Sequence, residues 1–152
     1  MTAAVCEIWF YHLERSSLDE VLPGLLEKTL GRGWRALVKG PAGRLEQIAP
    51  LHWTWRDDSC LAPGRADELH ADRQPILLSE TGENLNGAQA LFILDGAEPG
   101  ETQEYERCFI IFDGQDETAL TAARARWREM KAAGATLAYW KQSPEGRWEK
   151  AA

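Results

Sequence analysis

RCFIIFDGQDETALTAARARWREMKAAGATLAYWKQ, residues 107–142, carries the pattern from which the fold is read. Cys108–Phe112 is an apolar run of strand length, and Asp113-Gly114 supplies a turn after it. From Asp116 to Ala133 the residues Leu120, Ala123, Trp127 and Met130 recur at i+3 and i+4 spacing, which predicts a helix with one buried stripe. Thr136–Lys141 then returns as a second strand. Beside the stripe, Arg124, Arg128 and Lys131 stand at i, i+4 and i+7, so their side chains share a face and form a basic ridge flanking Trp127. An aromatic edge beside stacked cations suits a partner that offers carboxylates and an apolar tip. The alternative reading is a solvated helix face, since charged side chains ordinarily meet water.

Working outward, Val5–His12 is rich in β-branched and aromatic residues and reads as the first strand. Ser16 or Ser17 caps the helix that follows, in which Leu18, Val21, Leu22, Leu25, Leu26 and Leu30 repeat at helical spacing up to a glycine stop at Gly31-Arg32-Gly33. Trp34–Lys39 is the next strand. Strand, helix and strand joined by short connections predict a βαβ unit, hence a mostly parallel sheet covered by helices. Ala42–Ala49 is a short helix with Leu45 and Ile48 inward, and Ile76–Ser79 and Ala90–Leu94 are further strands. Leu51–Gln74 reads as a long loop, of the kind that in compact domains is functional or mobile. The acidic stretch Glu98–Glu106 has room for at most a short crossover helix. Ser143–Ala152, polar apart from Trp148, is expected to be a loosely held tail. At 152 residues, with no linker or low-complexity tract, the chain is expected to form one domain spanning 1–152.

Lys and Arg total 17 against 24 Asp and Glu, net −7, with a pI near 5.0, so the surface as a whole repels a phosphate backbone. The charge is uneven. Residues 118–152 hold seven Lys or Arg against three Glu, net +4, while residues 1–117 hold ten against twenty-one acids, net −11. The positive end is where an acidic partner would dock. Cys6, Cys60 and Cys108 are far apart and make no C-x-x-C, which fits reduced thiols in a cytosolic protein. The N-terminal residues lack the basic n-region of a secretory leader, and no stretch approaches the roughly 20 apolar residues of a membrane span.

For enzyme chemistry the best clue is Asp95 and Asp113, each at the carboxyl end of a strand, where α/β sheets place ligands. Each also precedes a glycine, the pairing that turns favour, so a catalytic and a turn role both stand. No G-x-x-x-x-G-K-[ST] loop occurs, and Gly31-Arg32-Gly33 follows a helix instead of a strand, the wrong context for a dinucleotide fingerprint. His12, His52 and His70 lack metal-site spacing, and no G-x-S-x-G elbow is present. Tryptophan stands out instead, with seven in the chain. Trp9, Trp34 and Trp140 lie in strand patterns and are expected to be buried. Trp53 and Trp55, beside Asp57-Asp58 in the long loop, are candidates for either an interface or the core.

Taken in order, several pieces make the chain similar to the chi subunit family of the bacterial DNA polymerase III holoenzyme, an accessory of the clamp loader. They are Phe10-Tyr-His-Leu13, Leu25-Leu-Glu-Lys28 and Gly33-Trp-Arg35; Trp53-Thr-Trp55 with Asp57-Asp-Ser59; Asn84-x-Asn86-Gly87 before Leu91-Phe-Ile-Leu-Asp-Gly96; and Phe112-Asp-Gly114 ahead of Ala123-Arg-Ala-Arg-Trp127. The resemblance implies a Rossmann-like α/β domain with helices on both faces and no working nucleotide loop. It implies a non-catalytic cytoplasmic adaptor, without cofactor or membrane contact, that meets nucleic acid only indirectly. One partner would be the acidic C-terminal tail of single-stranded DNA-binding protein, the other the psi subunit. By match of position, the tail site falls on Arg124, Trp127 and Arg128. Where better-known members carry a lysine one turn earlier this chain has Leu120, so Arg128 or Lys131 is expected to supply the second cation. The psi-like face falls on Trp53, Trp55, Cys60 and Leu61. Cys60 and Ala62-Pro63 depart from the family's Phe and Pro-His there, which leaves psi or a helicase as the second partner. A small α/β enzyme using Asp95 or Asp113 is the alternative function.

Overall fold

The computed structural model describes residues 6–14, 16–48, 71–81, 83–100, 102 and 104–152, together with the backbone of 53–55, 59–61 and 64–65. Among the described residues, ten strands and three α-helices follow in chain order. They are β1 (Glu7–Leu13), α1 (Leu18–Gly31), β2 (Ala36–Lys39), α2 (Ala42–Ile48), β3 (Trp53–Trp55), β4 (Ser59–Leu61), β5 (Gly64–Arg65), β6 (Ile76–Ser79), β7 (Ala90–Leu94), β8 (Arg107–Asp113), α3 (Glu117–Ala132), β9 (Thr136–Gln142) and β10 (Trp148–Lys150). The main sheet runs β10-β9-β1-β8-β7-β2-β6-β5, parallel throughout except for the edge strand β10.

Local chemistry explains where the helices begin and end. Ser17, not Ser16, caps α1 in a capping box, its Oγ accepting from Glu20 N at 3.3 Å while its own N–H donates to Glu20 Oε1 at 3.1 Å. The glycine stop holds, since Gly33 adopts φ +80° and its N–H donates to Leu30 O at 2.9 Å. Asp116 caps α3 by accepting from Thr118 N at 3.0 Å and Ala119 N at 3.3 Å.

Strand side chains alternate between two cores, as the pleat requires. Tyr11, Leu13, Val38, Phe92, Phe109 and Ile111 pack with Leu22, Leu25 and Leu26 of α1 and with Leu45 and Ile48 of α2. On the other face Ile8, Phe10, Leu37, Leu91, Cys108 and Ile110 meet Ala123, with Leu120, Trp127 and Met130 of α3 half-buried against them. The helices therefore cover both faces, as the strand–helix alternation predicts. Burial pushes the Cys6 thiol up to about 11 and the Cys108 thiol higher still, so both are held protonated and unreactive.

Three expectations change. Ser143–Ala152 is not a loose tail, because Ser143-Pro-Glu-Gly146 turns the chain and Trp148–Lys150 pairs antiparallel with β9, continued by a bond from Ala151 N to Tyr139 O at 2.7 Å. Trp148 seats edge-on to Tyr11 at 4.8 Å, a contact that offsets the cost of ordering the end of the chain. The long loop is interrupted by an antiparallel β3–β4 ribbon and by β5, which adds parallel to β6. Runs of two or three residues are too short for a periodicity to register. Third, Trp9, Trp34 and Trp140 are half-buried at the rim of the first core, not enclosed by it. Asp57, Asp58, His52, His70 and Ala62-Pro63 lie outside the described residues. The described parts of Glu98–Glu106 carry no helix.

Candidate functional site: a cationic cleft on the last helix

Strand β9 runs beside β1, so its alternate residues Leu137, Tyr139 and Lys141 share the face against which α3 packs. Trp127, half-buried on α3, meets Phe10 edge-on at 5.3 Å and Tyr139 edge-on at 5.6 Å. Its ring forms the floor of a cleft of about 620 Å³ lined by His12, Arg124, Arg128, Tyr139, Lys141 and the backbone-paired Ala151 and Ala152. Arg124 and Arg128 are exposed and one turn apart, with Arg128 Nε donating to Arg124 O at 3.4 Å. Lys141 faces them from β9, its Nζ 3.4 Å from Glu14 Oε1.

Three of the four tail-site residues named from the sequence thus come together: Arg124, Trp127 and Arg128. Lys131 is exposed on the same helix but does not line the cleft, and Lys141 does. The i+7 spacing places Lys131 two turns from Arg124, beyond the end of the cleft. The signal for Lys141 and Tyr139 lies in the two-residue alternation of Thr136–Lys141, which the helical spacing does not contain. Leu120, in the place of the family's lysine, packs half-buried against the second core.

His12 is 5 % exposed and lies beneath the cleft. Its Nδ1 is 2.7 Å from Tyr139 Oη, and its Nε2 is 3.3 Å from Glu14 Oε1. Burial lowers its pKa from the usual histidine value. Lys141 and Arg124 lower it further, against the opposing pull of Glu14 and Asp113. Burial likewise raises the Tyr139 phenol, with Arg124 opposing. Because the folded state lowers the His12 pKa below the unfolded value near 6.5, the unfolded chain binds more protons than the folded one just below that pH, and folding there releases them. The stability His12 contributes is complete above about pH 6.5 and falls away as pH drops below it. Urea titrations between pH 5 and 7.5 should show this slope, and His12→Gln should flatten it.

Asp95 and Asp113 both line a crevice of about 360 Å³ at the carboxyl ends of β1, β7 and β8. Asp95, at φ 51°, is tied to Arg44 Nε at 2.7 Å. Asp113 Oδ1 accepts from Gln115 N at 2.9 Å, an Asx turn. Turn and ion pair therefore employ both acids. Among the described residues no group of three or more His, Cys, Asp or Glu could hold a metal ion, and no helix is long and apolar enough to cross a membrane. Of the second candidate face the backbone is described: Trp53 pairs with Leu61, Thr54 with Cys60 and Trp55 with Ser59.

A parallel sheet with helices on both faces makes this a Rossmann-like α/β domain. Residues 5–138 match the family model of the DNA polymerase III chi subunit, HolC, and the chain belongs to that family, which serves DNA replication as an accessory of the polymerase holoenzyme. No curated protein matches the chain.

Proposed function

We propose that the chain is a non-catalytic cytoplasmic adaptor that captures the acidic C-terminal tail of single-stranded DNA-binding protein in the cleft of Trp127 and links it to the clamp loader. The observation that carries this reading is the convergence of Arg124, Arg128 and Lys141, from two elements, around one aromatic floor. A tail with acidic residues, an aromatic and a free carboxylate would lay its charges on the cations and its ring on Trp127. Charge-assisted bonds of this kind are the stronger class. The chain's net −7 disfavours direct contact with nucleic acid, so DNA would be met only through the partner. Immobilised chain should retain single-stranded DNA-binding protein and release it when the tail is deleted; retention that ignores the deletion would refute the reading.

The β3–β4 ribbon is the proposed second face, toward psi or a helicase, with Trp53, Trp55, Cys60 and Leu61 its candidates. Trp53→Ala should weaken attachment to the clamp loader or helicase while leaving tail-peptide affinity within about twofold. Loss of both together would mean that Trp53 supports the fold and that the two-face scheme is wrong.

A further inference from the structure

On the sheet face opposite Trp127, a third pocket, of about 310 Å³, opens between α1 and the strands β1, β8, β9 and β10. Its walls include Trp9, Trp34, Trp140 and Trp148. Arg107 lies among them, its guanidinium carbon 3.9 Å from the ring centre of Trp9 and 5.5 Å from that of Trp34. The Arg107 side chain is only 13 % exposed; among the described residues its charged partner is Glu7, Oε2 at 3.3 Å, and its buried Nε has no hydrogen bond. The buried indole Nε1 of Trp140 is unpartnered too. Arg32, over Trp34 at 5.2 Å, and Lys28 add charge at the mouth, and no Asp or Glu is among the described residues lining the pocket.

Buried donors are ordinarily satisfied, yet Arg107 Nε and Trp140 Nε1 are both unpaired, enclosed behind the pocket wall, so among the described residues the charge of Arg107 is answered by Glu7 alone. Four indoles supply flat apolar walls on which a ring can stack. A guanidinium stacked on indole is weakly hydrated, and the terminal N–H groups of Arg107 that Glu7 does not take up are the donors left for an anion. We infer that this pocket binds a small aromatic anion, a flat ring bearing a carboxylate or phosphate, with Arg107 holding the anion and the tryptophans the ring. This ligand is not the tail proposed above, and the two sites lie on opposite faces of the sheet.

Two probe pairs separate the sources of that chemistry: indole-3-acetate with its neutral amide, and thymidine monophosphate with thymidine. Each is titrated calorimetrically into the full chain in an Arg124→Ala background, which weakens the other cleft. At least one anion should bind with Kd near about 1 mM, a reasonable value for so small a ligand. Its neutral counterpart should bind at least about fivefold more weakly, and whichever anion binds identifies the source. Arg107→Gln should remove that difference. Should Arg107→Gln fail to fold, the exposed Arg32→Gln should reduce anion affinity at least about threefold. Failure of both anions to bind below about 10 mM, equal binding of neutral and charged probes, or indifference to the arginine substitutions would overturn the inference.

Discussion

Gly114→Ala should destabilise the protein by about 3 kcal/mol, the upper part of the range for forcing atoms into a packed site, and lower Tm by roughly 6–12 °C. A β-carbon at position 114 would lie 1.9 Å from His12 Nε2, 2.0 Å from His12 Cδ2 and 2.8 Å from the carbonyl oxygen of Leu13. Neither neighbour can yield cheaply. Leu13 O belongs to β1 and accepts the Gly114 N–H at 2.7 Å, while the imidazole is anchored to Tyr139 and flanked by Phe112 at 5.1 Å. The glycine that follows Asp113 is therefore required by the histidine behind it. Because His12 and Tyr139 also line the cleft, the substitution should weaken tail-peptide binding in the fraction that remains folded. Equilibrium urea unfolding measures the first effect. A loss below about 1 kcal/mol would show that His12 moves freely and does not brace the cleft.

That glycine shows what a linear pattern conveys. Asp113-Gly114 reads as a turn, and it is one. The sequence has no means of bringing His12, a hundred residues earlier, to within an atom's width of it, because register between parallel strands is fixed by non-local packing. The same division runs through the fold. α1, α3 and the buried strands were legible because their apolar periods are long and their caps local: Ser17 with Glu20, Gly33, Asp116. β10 was missed because Trp148-Glu-Lys150 carries no period of its own and becomes a strand only by pairing with the edge of β9. The β3–β4 ribbon was hidden for a similar reason, being three residues on each side.

At the site, the helical half was legible and the sheet half was not. Arg124, Trp127 and Arg128 share a helix face at regular spacing. Lys131 shares that helix face without lining the cleft, which a neighbouring strand closes with Lys141 as a third cation. The tryptophans mislead in another way. A strand pattern implies burial, yet Trp9, Trp34 and Trp140 stand at the rim of a core where they border a pocket. Asp95 and Asp113 occupy the strand ends that α/β enzymes use, but the Arg44 pair and the Asx turn engage both.

The second large effect falls on the central proposal, capture of an acidic tail by the α3–β9 cleft. Truncating one partner of a buried charged pair costs ~2–5 kcal/mol, whereas an exposed pair contributes ~1 kcal/mol or less. Arg124 is exposed in the free chain and would be partly covered by a ligand seated on Trp127, which places the cost between these limits. Arg124→Ala should thus lower affinity for a tail peptide at least about tenfold, ~1.4 kcal/mol. Binding should weaken as salt rises, less steeply in the variant because one cation is gone. Trp127→Ala should weaken binding with the salt slope unchanged, since it removes area and no charge. The direct measurement is calorimetric titration of the tail peptide into wild type, Arg124→Ala and Trp127→Ala at low and high salt. A tenfold loss with a shallower slope for the arginine and a loss at constant slope for the tryptophan is the predicted result; wild-type affinity and salt response in Arg124→Ala would contradict it and leave the ridge a solvated helix face.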